Sequence, residues 1–408
     1  MDKSFTDRAK ALDAQDPLAA LRDQFFIPDG MIYFDGNSLG AMPKAALEAV
    51  SQATQQEWAT DLITSWNKAG WFALPTDYGD RLAPVIGASA GEVVICDSTS
   101  INLYKALFAG LSLRPERTVI IAEKSSFPTD LYMVEGALSA RPSLEMRLVD
   151  DLLSAIDEDV AVVLINHVDY RTGKVAEVEK ITARAHELGA VVIWDLCHSA
   201  GVLPVGLNAA GADLAIGCTY KYLNGGPGAP AFIYCAARHL PTVTQPLSGW
   251  WGHANPFAFD TGFAPDAGIR KFLCGTQPIL SFRALEAGLD IISALDMAQV
   301  RAKSLSLTAL FIDMVEADVP ALTLASPRKA EQRGSQVSFT HPDAYPIVQA
   351  LIERGVVGDF RMPNVLRFGF SPLYLSHMDV VQAANILCGI MAKDVWKADR
   401  FKARGAVT

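Results

Sequence analysis

Residues 90–235 repeat one arrangement: a short run that is apolar throughout, then a segment with helical spacing. The runs are EVVIC, TVIIAE, AVVLIN, AVVIWD, LAIGC and AFIYC. Strands that are apolar on both faces must be covered on both faces, and helical connections do this in a mostly parallel sheet. INLYKALFAGL and VEKITARAHELG read as such connections. The second carries Val178, Ile181, Ala185 and Leu188 on one stripe and stops at Gly189. The fold class expected is α/β, and the strand-to-helix corners of such a sheet are where ligands bind.

The rest of the chain has a different pattern. After Pro278 a long helical stretch, ILSFRALEAGLDIISALDMAQVRAKSLSLTALFIDMVE, is expected to bend or break near residues 295–305. Beyond it SQVSFTH, VVGDFRMP and VLRFGF alternate like strands of a half-covered sheet. AYPIVQALIERG and HMDVVQAANILCGIMAKDV read as amphipathic helices beside them. The division expected is an N-terminal segment, 1–55, packing on the small domain; a large domain, 56–285; and a smaller α+β C-terminal domain, 286–408.

Charge and cysteine usage narrow the class. The 408 residues carry a formal net charge of −10, with no basic run, which argues against nucleic acid as a partner. No segment approaches the ~20 uninterrupted apolar residues of a membrane span. The N-terminal stretch MDKSFTDRAKALDAQDPLAALRDQFF has no signal-type apolar core. Six cysteines, Cys96, Cys197, Cys218, Cys235, Cys274 and Cys388, are scattered without paired spacing, which fits a reduced, cytoplasmic protein. No metal-ligand spacing occurs, so no metal is expected.

Four corners carry candidate chemistry. In VVIWDLCHSAG, Asp195 ends a buried run, where a carboxylate needs a cation or several donors. Alone, such a residue is more often a turn cap. Lys221, in GCTYKYLNGGPGAPAF, follows the next run and is flanked by Tyr220 and Tyr222. A desolvated lysine is a usable amine nucleophile, although a surface lysine in a loop is the plain alternative. In CDSTSINLYKALFAGL, Ser98, Thr99 and Ser100 open a helix: an N-cap at least, and with free N–H groups a phosphate cradle. SSFPTDLYMVEGAL repeats the arrangement, with Phe127 able to offer a ring face and Thr129 and Asp130 starting a helix. Singly these signals are weak. Together they describe a planar cationic heterocycle with an aldehyde for Lys221, a ring nitrogen for Asp195 and a phosphate for the hydroxyl corner. That ligand is pyridoxal phosphate.

These residues also carry a family resemblance. YFDGNSLG at 33–40, FPTD at 127–130, DLCHSAG at 195–201, GCTYKYLNGGPGAP at 217–230, SGWWGH at 248–253 and VLRFGFSPLY at 365–374 resemble the kynureninase family over nearly the whole chain. That family lies among the aspartate-aminotransferase-like, fold type I pyridoxal-phosphate enzymes. The resemblance implies a seven-stranded-type sheet in a large domain that binds the cofactor. It implies hydrolysis of L-kynurenine to anthranilate and L-alanine in tryptophan catabolism, the route towards NAD biosynthesis. It implies a cytoplasmic homodimer with active sites at the interface. By motif, Lys221 matches the Schiff-base lysine, Asp195 the ring-nitrogen partner and His198 its neighbour. Thr99 and Ser100 match phosphate and ring contacts. Phe127, Pro128, Thr129 and Asp130 match the segment around the ring, and Asn166 another cofactor neighbour. Tyr220, also a candidate proton carrier, and Trp250 resemble phosphate ligands. Thr276 resembles a residue reaching a cofactor across the dimer.

Arg367 matches the arginine that grips the substrate carboxylate, and its chemistry agrees: a fixed guanidinium suits a bidentate clamp. In a strand, Val365 and Arg367 face away from Leu366, Phe368 and Phe370. Ser38, Trp66 and Trp251 are expected to border the substrate. His253 fits a site role or an aromatic cluster equally. Tryptophan at 66 and threonine at 276 imply a preference for kynurenine over 3-hydroxykynurenine. The alternatives are a cysteine desulfurase, for which Cys274 is the one loop-like cysteine, an aminotransferase, or a non-catalytic binding protein on the same scaffold.

Overall fold

The computed structural model describes residues 3–403, so the outermost residues of the two terminal segments expected above lie outside the described part. Two compact units emerge: residues 45–169 with 176–294, and residues up to 44 with 170–175 and those from 295 onward.

Among the described residues, seven strands form the sheet of the first unit. They are β1 (Val93–Ile95), β2 (Val119–Glu123), β3 (Glu145–Val149), β4 (Val160–Asn166), β5 (Val191–Asp195), β6 (Leu214–Gly217) and β7 (Phe232–Cys235). Their spatial order is β1-β7-β6-β5-β4-β2-β3. The pairs from β3 through β6 are parallel, and β7 is antiparallel to both of its neighbours. The fold is α/β, as the alternating runs predict. Helices α1 (Thr99–Ser112), α2 (Pro128–Ala140), α3 (Val178–Glu187) and α4 (Ile279–Ser293) belong to the same unit. The core joins Ile120, Val162, Ile193, Ile216 and Ile233 of the sheet to Leu103 and Leu107 of α1, all fully buried.

Both rims of the sheet are protected. β3 is a half-exposed strand in which Glu145 is exposed and Arg147 pairs with Asp157 at 2.5 Å. Charge on an edge strand discourages pairing with another chain. At the other rim β1 is wholly buried. The helix Leu74–Leu82 packs so close to it that a Cβ on Gly79 would stand 2.1 Å from the Val93 carbonyl oxygen, so only glycine fits.

At the amino end of β6, buried Asp213 gathers an unusual set of donors. His186 Nε2 and His239 Nε2 each lie 2.8 Å from its carboxylate, Arg238 at 2.7 Å and the Val192 N–H at 2.9 Å. Burial alone would raise its pKa. The hydrogen bonds from His186, His239 and Val192 overturn that and hold the carboxyl well below the usual range.

In the second unit, β8 (Thr323–Leu324), β9 (Gln336–Thr340), β10 (Asp359–Arg361) and β11 (Val365–Gly369) form an antiparallel sheet ordered β8-β9-β11-β10. Helices α5 (Met297–Asp318), α6 (Ala344–Ile352) and α7 (His377–Ala392) accompany it. The long helical stretch is two helices, α4 and α5, and Asp296 caps the second through the Ala298 N–H. A half-covered sheet is not what forms here. β11 is buried at every position and β9 at all but its last. The polar face tolerates this because its groups are paired: Arg367 with Asp359, and the Ser338 N–H with Ser326 Oγ at 2.8 Å. The helix Lys3–Ala14 and the turn after it are tied to α5 and α7. Asp16 pairs with Lys303 at 2.6 Å, and Asp13 meets His377 Nδ1 at 2.8 Å. No helix among the described residues is long and apolar enough to cross a membrane.

The Asp213 cluster predicts a pH-dependent stability. A carboxyl with a depressed folded pKa stabilises the fold above its unfolded value, near 3.9, and loses that contribution as pH falls through the folded value. Asp213→Asn should therefore cost about 3 kcal/mol at pH 7. In thermal melts its deficit against the parent should shrink steadily below about pH 4.

Candidate active site

The carboxyl ends of β4 and β5 lie side by side, with Asn166 opposite Asp195 in the register. Asp195 is 5% exposed. One of its oxygens accepts the Cys197 N–H at 2.7 Å and the other the Asn166 side-chain amide, also at 2.7 Å. The second amide proton of Asn166 goes to Asp130 at 2.8 Å, and its carbonyl accepts the Phe127 N–H at 3.1 Å. One asparagine thus ties together the segments that follow three neighbouring strands, β2, β4 and β5. Burial, then the negative charge of Asp195, push the Asp130 carboxyl well above the ordinary range. The Asp130 carboxyl is therefore driven towards its neutral form.

Lys221 sits on a loop, not in a helix, between β6 and β7. The loop is folded onto itself: Thr219 Oγ1 donates to Pro230 O at 2.6 Å, and Gly225 N–H to Thr219 O at 2.9 Å. It is also pressed against α4. A Cβ on Gly288 would meet Leu223 O at 2.2 Å, so the glycine permits the approach. Lys221 Nζ lies 3.0 Å from His198 Nε2 and 5.9 Å from the ring centres of both Phe127 and Tyr220. Burial, then the Cys218 thiol beside it, raise the Tyr220 phenol above its ordinary pKa, so it keeps its proton.

The hydroxyl corner follows β1. Ser98 caps α1 by accepting the Ile101 N–H at 3.4 Å, and Thr99 and Ser100 form the first turn, whose N–H groups have no partner inside the helix. Thr99 Oγ1 lies 4.0 Å from Cys197 Sγ, two residues from Asp195. Pro128 and Thr129 open α2, with Asp130 in its first turn. Beside Phe127, Ser126 Oγ is buried without a hydrogen-bond partner among the described residues. A lysine amine, a fixed carboxylate and a helix start with hydroxyls, all on one sheet edge, fit a phosphorylated pyridine aldehyde.

The tryptophans form a cluster of their own in the same unit. Trp66 lies 5.7 Å from Trp250 and 5.2 Å from Trp251, and the latter two stack at 5.2 Å with Phe72 alongside. Trp251 is fully buried and donates its N–H to Phe72 O at 3.3 Å, while Trp250 is partly exposed. Thr276 is exposed, outside the hydrogen-bond network around Asn166. His253 closes a loop: Nδ1 accepts the Asn255 N–H at 2.9 Å, Nε2 faces Gly262 O at 3.2 Å, and the ring packs on Phe263.

In the second unit, Arg367 is 2% exposed. Its Nε donates to one oxygen of Asp359 at 2.7 Å and its Nη2 to the other, a bidentate pair between facing residues of β10 and β11. Nη2 also reaches Ser38 Oγ at 2.8 Å, and Nη1 the Tyr170 carbonyl at 2.9 Å. Arg361 pairs with the same Asp359 at 2.6 Å. Asp35, on the turn whose carbonyl accepts the Ser38 and Leu39 N–H groups, completes the cluster. Burial and then the charge of Asp359 raise its pKa to about 7, against Ser38 and the two arginines. Asp359 and Arg361 escape sequence reasoning because only the β10–β11 pairing brings them to Arg367, and Asp35 because it arrives on a distant turn bridged to Gly369. The signal available was DFR, a few residues before VLRFGF.

Comparison with known proteins agrees with this geometry. The family model for the kynureninase C-terminal domain matches residues 300–387. A kynureninase from Burkholderia pseudomallei is 52% identical, over 98% of this chain and 99% of its own. One from Pseudomonas fluorescens is also 52% identical, over 98% of each chain. Among solved structures, a cysteine desulfurase from Thermococcus onnurineus NA1 shares the fold, with a TM-score of 0.75 over 92% of this chain and 98% of that one, at 20% identity. A cystine C–S lyase in complex with cysteine persulfide has a TM-score of 0.74 over 88% of this chain and 98% of its own, at 19% identity. At such identities these structures speak for the architecture alone.

The raised Asp35 pKa sets a second pH dependence, of opposite sign. The folded state holds the proton more tightly than the unfolded state, so ionising Asp35 costs stability as pH rises from near 3.9 towards about 7. Asp35→Asn mimics the protonated form. In urea titrations it should be more stable than the parent at pH 8, by on the order of 2 kcal/mol, and should lose that advantage by pH 4. An advantage independent of pH would remove the assignment.

Proposed function

The chain belongs to the kynureninase family, and on that premise we propose that it hydrolyses L-kynurenine to anthranilate and L-alanine, with pyridoxal phosphate held as a Schiff base on Lys221. The observation that carries this reading is the Lys221 amine, 3.0 Å from His198 and between two aromatic rings, on the same sheet edge as the Asn166-anchored Asp195. When bound, the cofactor supplies an aldehyde carbon for the substrate amine and a cationic ring that accepts the electron pair left at the α-carbon.

The residues divide the remaining work. Asp195, fixed by Asn166 and the Cys197 N–H, keeps the ring nitrogen protonated. Phe127, Pro128, Thr129 and Asp130 would surround the ring. Thr99, Ser100, Tyr220 and Trp250 would hold the phosphate. Lys221 Nζ would serve as the base for the α-proton, with His198 Nε2, 3.0 Å away, steadying it. Tyr220 keeps its proton at neutral pH and can pass it to the γ-carbonyl oxygen as water adds there and the bond between the β and γ carbons breaks. Arg367, oriented by Asp359 and Ser38, grips the α-carboxylate. Trp66 and Trp251 border the aryl group. The same reading makes the protein a cytoplasmic homodimer whose Thr276 reaches the partner's cofactor, with 3-hydroxykynurenine as a weaker substrate.

Anthranilate release from purified protein tests the activity, with sulfide release and amino transfer as controls for the desulfurase and aminotransferase alternatives. Lys221→Ala should abolish both turnover and the visible absorption of the bound cofactor. Normal turnover by that variant would end the proposal. Arg367→Lys should raise KM for kynurenine about 10- to 100-fold with a smaller change in kcat. For the parent enzyme, kcat/KM should favour kynurenine over its 3-hydroxy form, and the reverse order would refute the part played here by Trp66 and Thr276.

A further inference from the structure

β1 hands over to α1 through Cys96 and Asp97, and Asp97 has φ 48°, in the left-handed region that residues with a side chain avoid. Its surroundings hold it there. The Asp97 N–H donates to Gln277 Oε1 at 2.8 Å, and its carbonyl accepts the Ala231 N–H at 2.9 Å. Its carboxylate pairs with Lys105, which also donates to Phe272 O at 2.6 Å. Asn102 adds a second tie from α1 to the strand end, donating to Cys96 O at 2.8 Å.

Lys105 is the odd member. Its side chain is fully buried on a helix whose other inward residues, Asn102 aside, are apolar, Leu103, Ala106, Leu107 and Ala109 among them. A methionine or leucine would fill that position without desolvating an ammonium, and buried ion pairs are often no better for stability than apolar replacements. The pair therefore calls for a role besides packing. The next residues, Ser98 to Ser100, form the corner that receives the cofactor phosphate. An unpaired Asp97 carboxylate beside that corner would repel a dianion, and a relaxed Asp97 backbone would turn the first N–H groups of α1 away from it.

We propose that the buried Lys105–Asp97 pair, seconded by Gln277, positions the phosphate-binding corner of the enzyme. Lys105 cancels the Asp97 charge and locks the left-handed turn, so that Thr99 and Ser100 accept a phosphate dianion. Lys105 touches neither cofactor nor substrate and acts through Asp97. The inference rests on the pyridoxal-phosphate reading above.

The test compares ligands with and without the phosphate. Apo-forms of the parent, Lys105→Met and Gln277→Leu are titrated with pyridoxal phosphate and with pyridoxal, following absorbance, and inorganic phosphate is used as a competitor. Lys105→Met should weaken pyridoxal phosphate by about tenfold or more while changing pyridoxal less than about twofold. Its affinity for inorganic phosphate should fall in parallel. Adding Asp97→Asn to Lys105→Met removes the stranded carboxylate and should recover part of the loss, which a merely structural defect would not do. Gln277→Leu, which leaves both charges in place, should give a smaller loss with the same ligand selectivity, and it carries the test if Lys105→Met does not fold. Unchanged affinity for pyridoxal phosphate, or equal losses for both ligands, would overturn the proposal. A parent protein that bound neither ligand would instead refute the cofactor assignment itself.

Discussion

A buried carboxyl group at the carboxyl edge of a parallel sheet is the constraint on which the rest of the large unit depends. Asp195 has lost nearly all contact with water and must be compensated by donors held at fixed distances. Asn166 and the Cys197 N–H supply them, and the parallel register of β4 and β5 brings Asn166 level with Asp195. The same asparagine binds Asp130 and the Phe127 backbone, so the corner that carries the aromatic ring is set by the compensation of the carboxylate. Lys221 then needs only a short, self-bonded loop on the next strand to reach the same edge.

A comparable economy governs the second unit. Asp359 serves two guanidinium groups and the Ser38 hydroxyl at once, and its own burial is possible because of them. Arg367 is not a loose cation on a strand but one half of a bidentate pair, so its plane is fixed before any ligand arrives. Asp35 is the residue that gives way: buried beside Asp359, it retains a proton well above the usual carboxylate range.

Much of this was legible in the chain itself. Runs apolar on both faces announced the parallel sheet, and the flanking glycines, proline and tyrosines singled out Lys221. What escaped was whatever depends on pairing across distance. β3 carries Glu145 and Arg147 in a short edge strand, so it lacks the continuous apolar run that marks its neighbours. The alternation in VLRFGF correctly separates Arg367 from Leu366 and Phe368, but alternation alone reads as one dry face and one wet. Only the antiparallel β10, bringing Asp359 opposite Arg367, allows both faces to be buried. Lys105 was hidden for a similar reason, since its partners lie at a strand end and in the segment around Phe272.

The treatment of the sheet rims has a consequence for self-association. Charge along β3 and a helix seated on β1 through Gly79 disfavour the addition of a strand from a neighbouring molecule at either border. Association of copies of this chain through loops, helix flanks and side chains is thereby favoured over a continued ribbon, and its geometry then follows the chemistry of those surfaces.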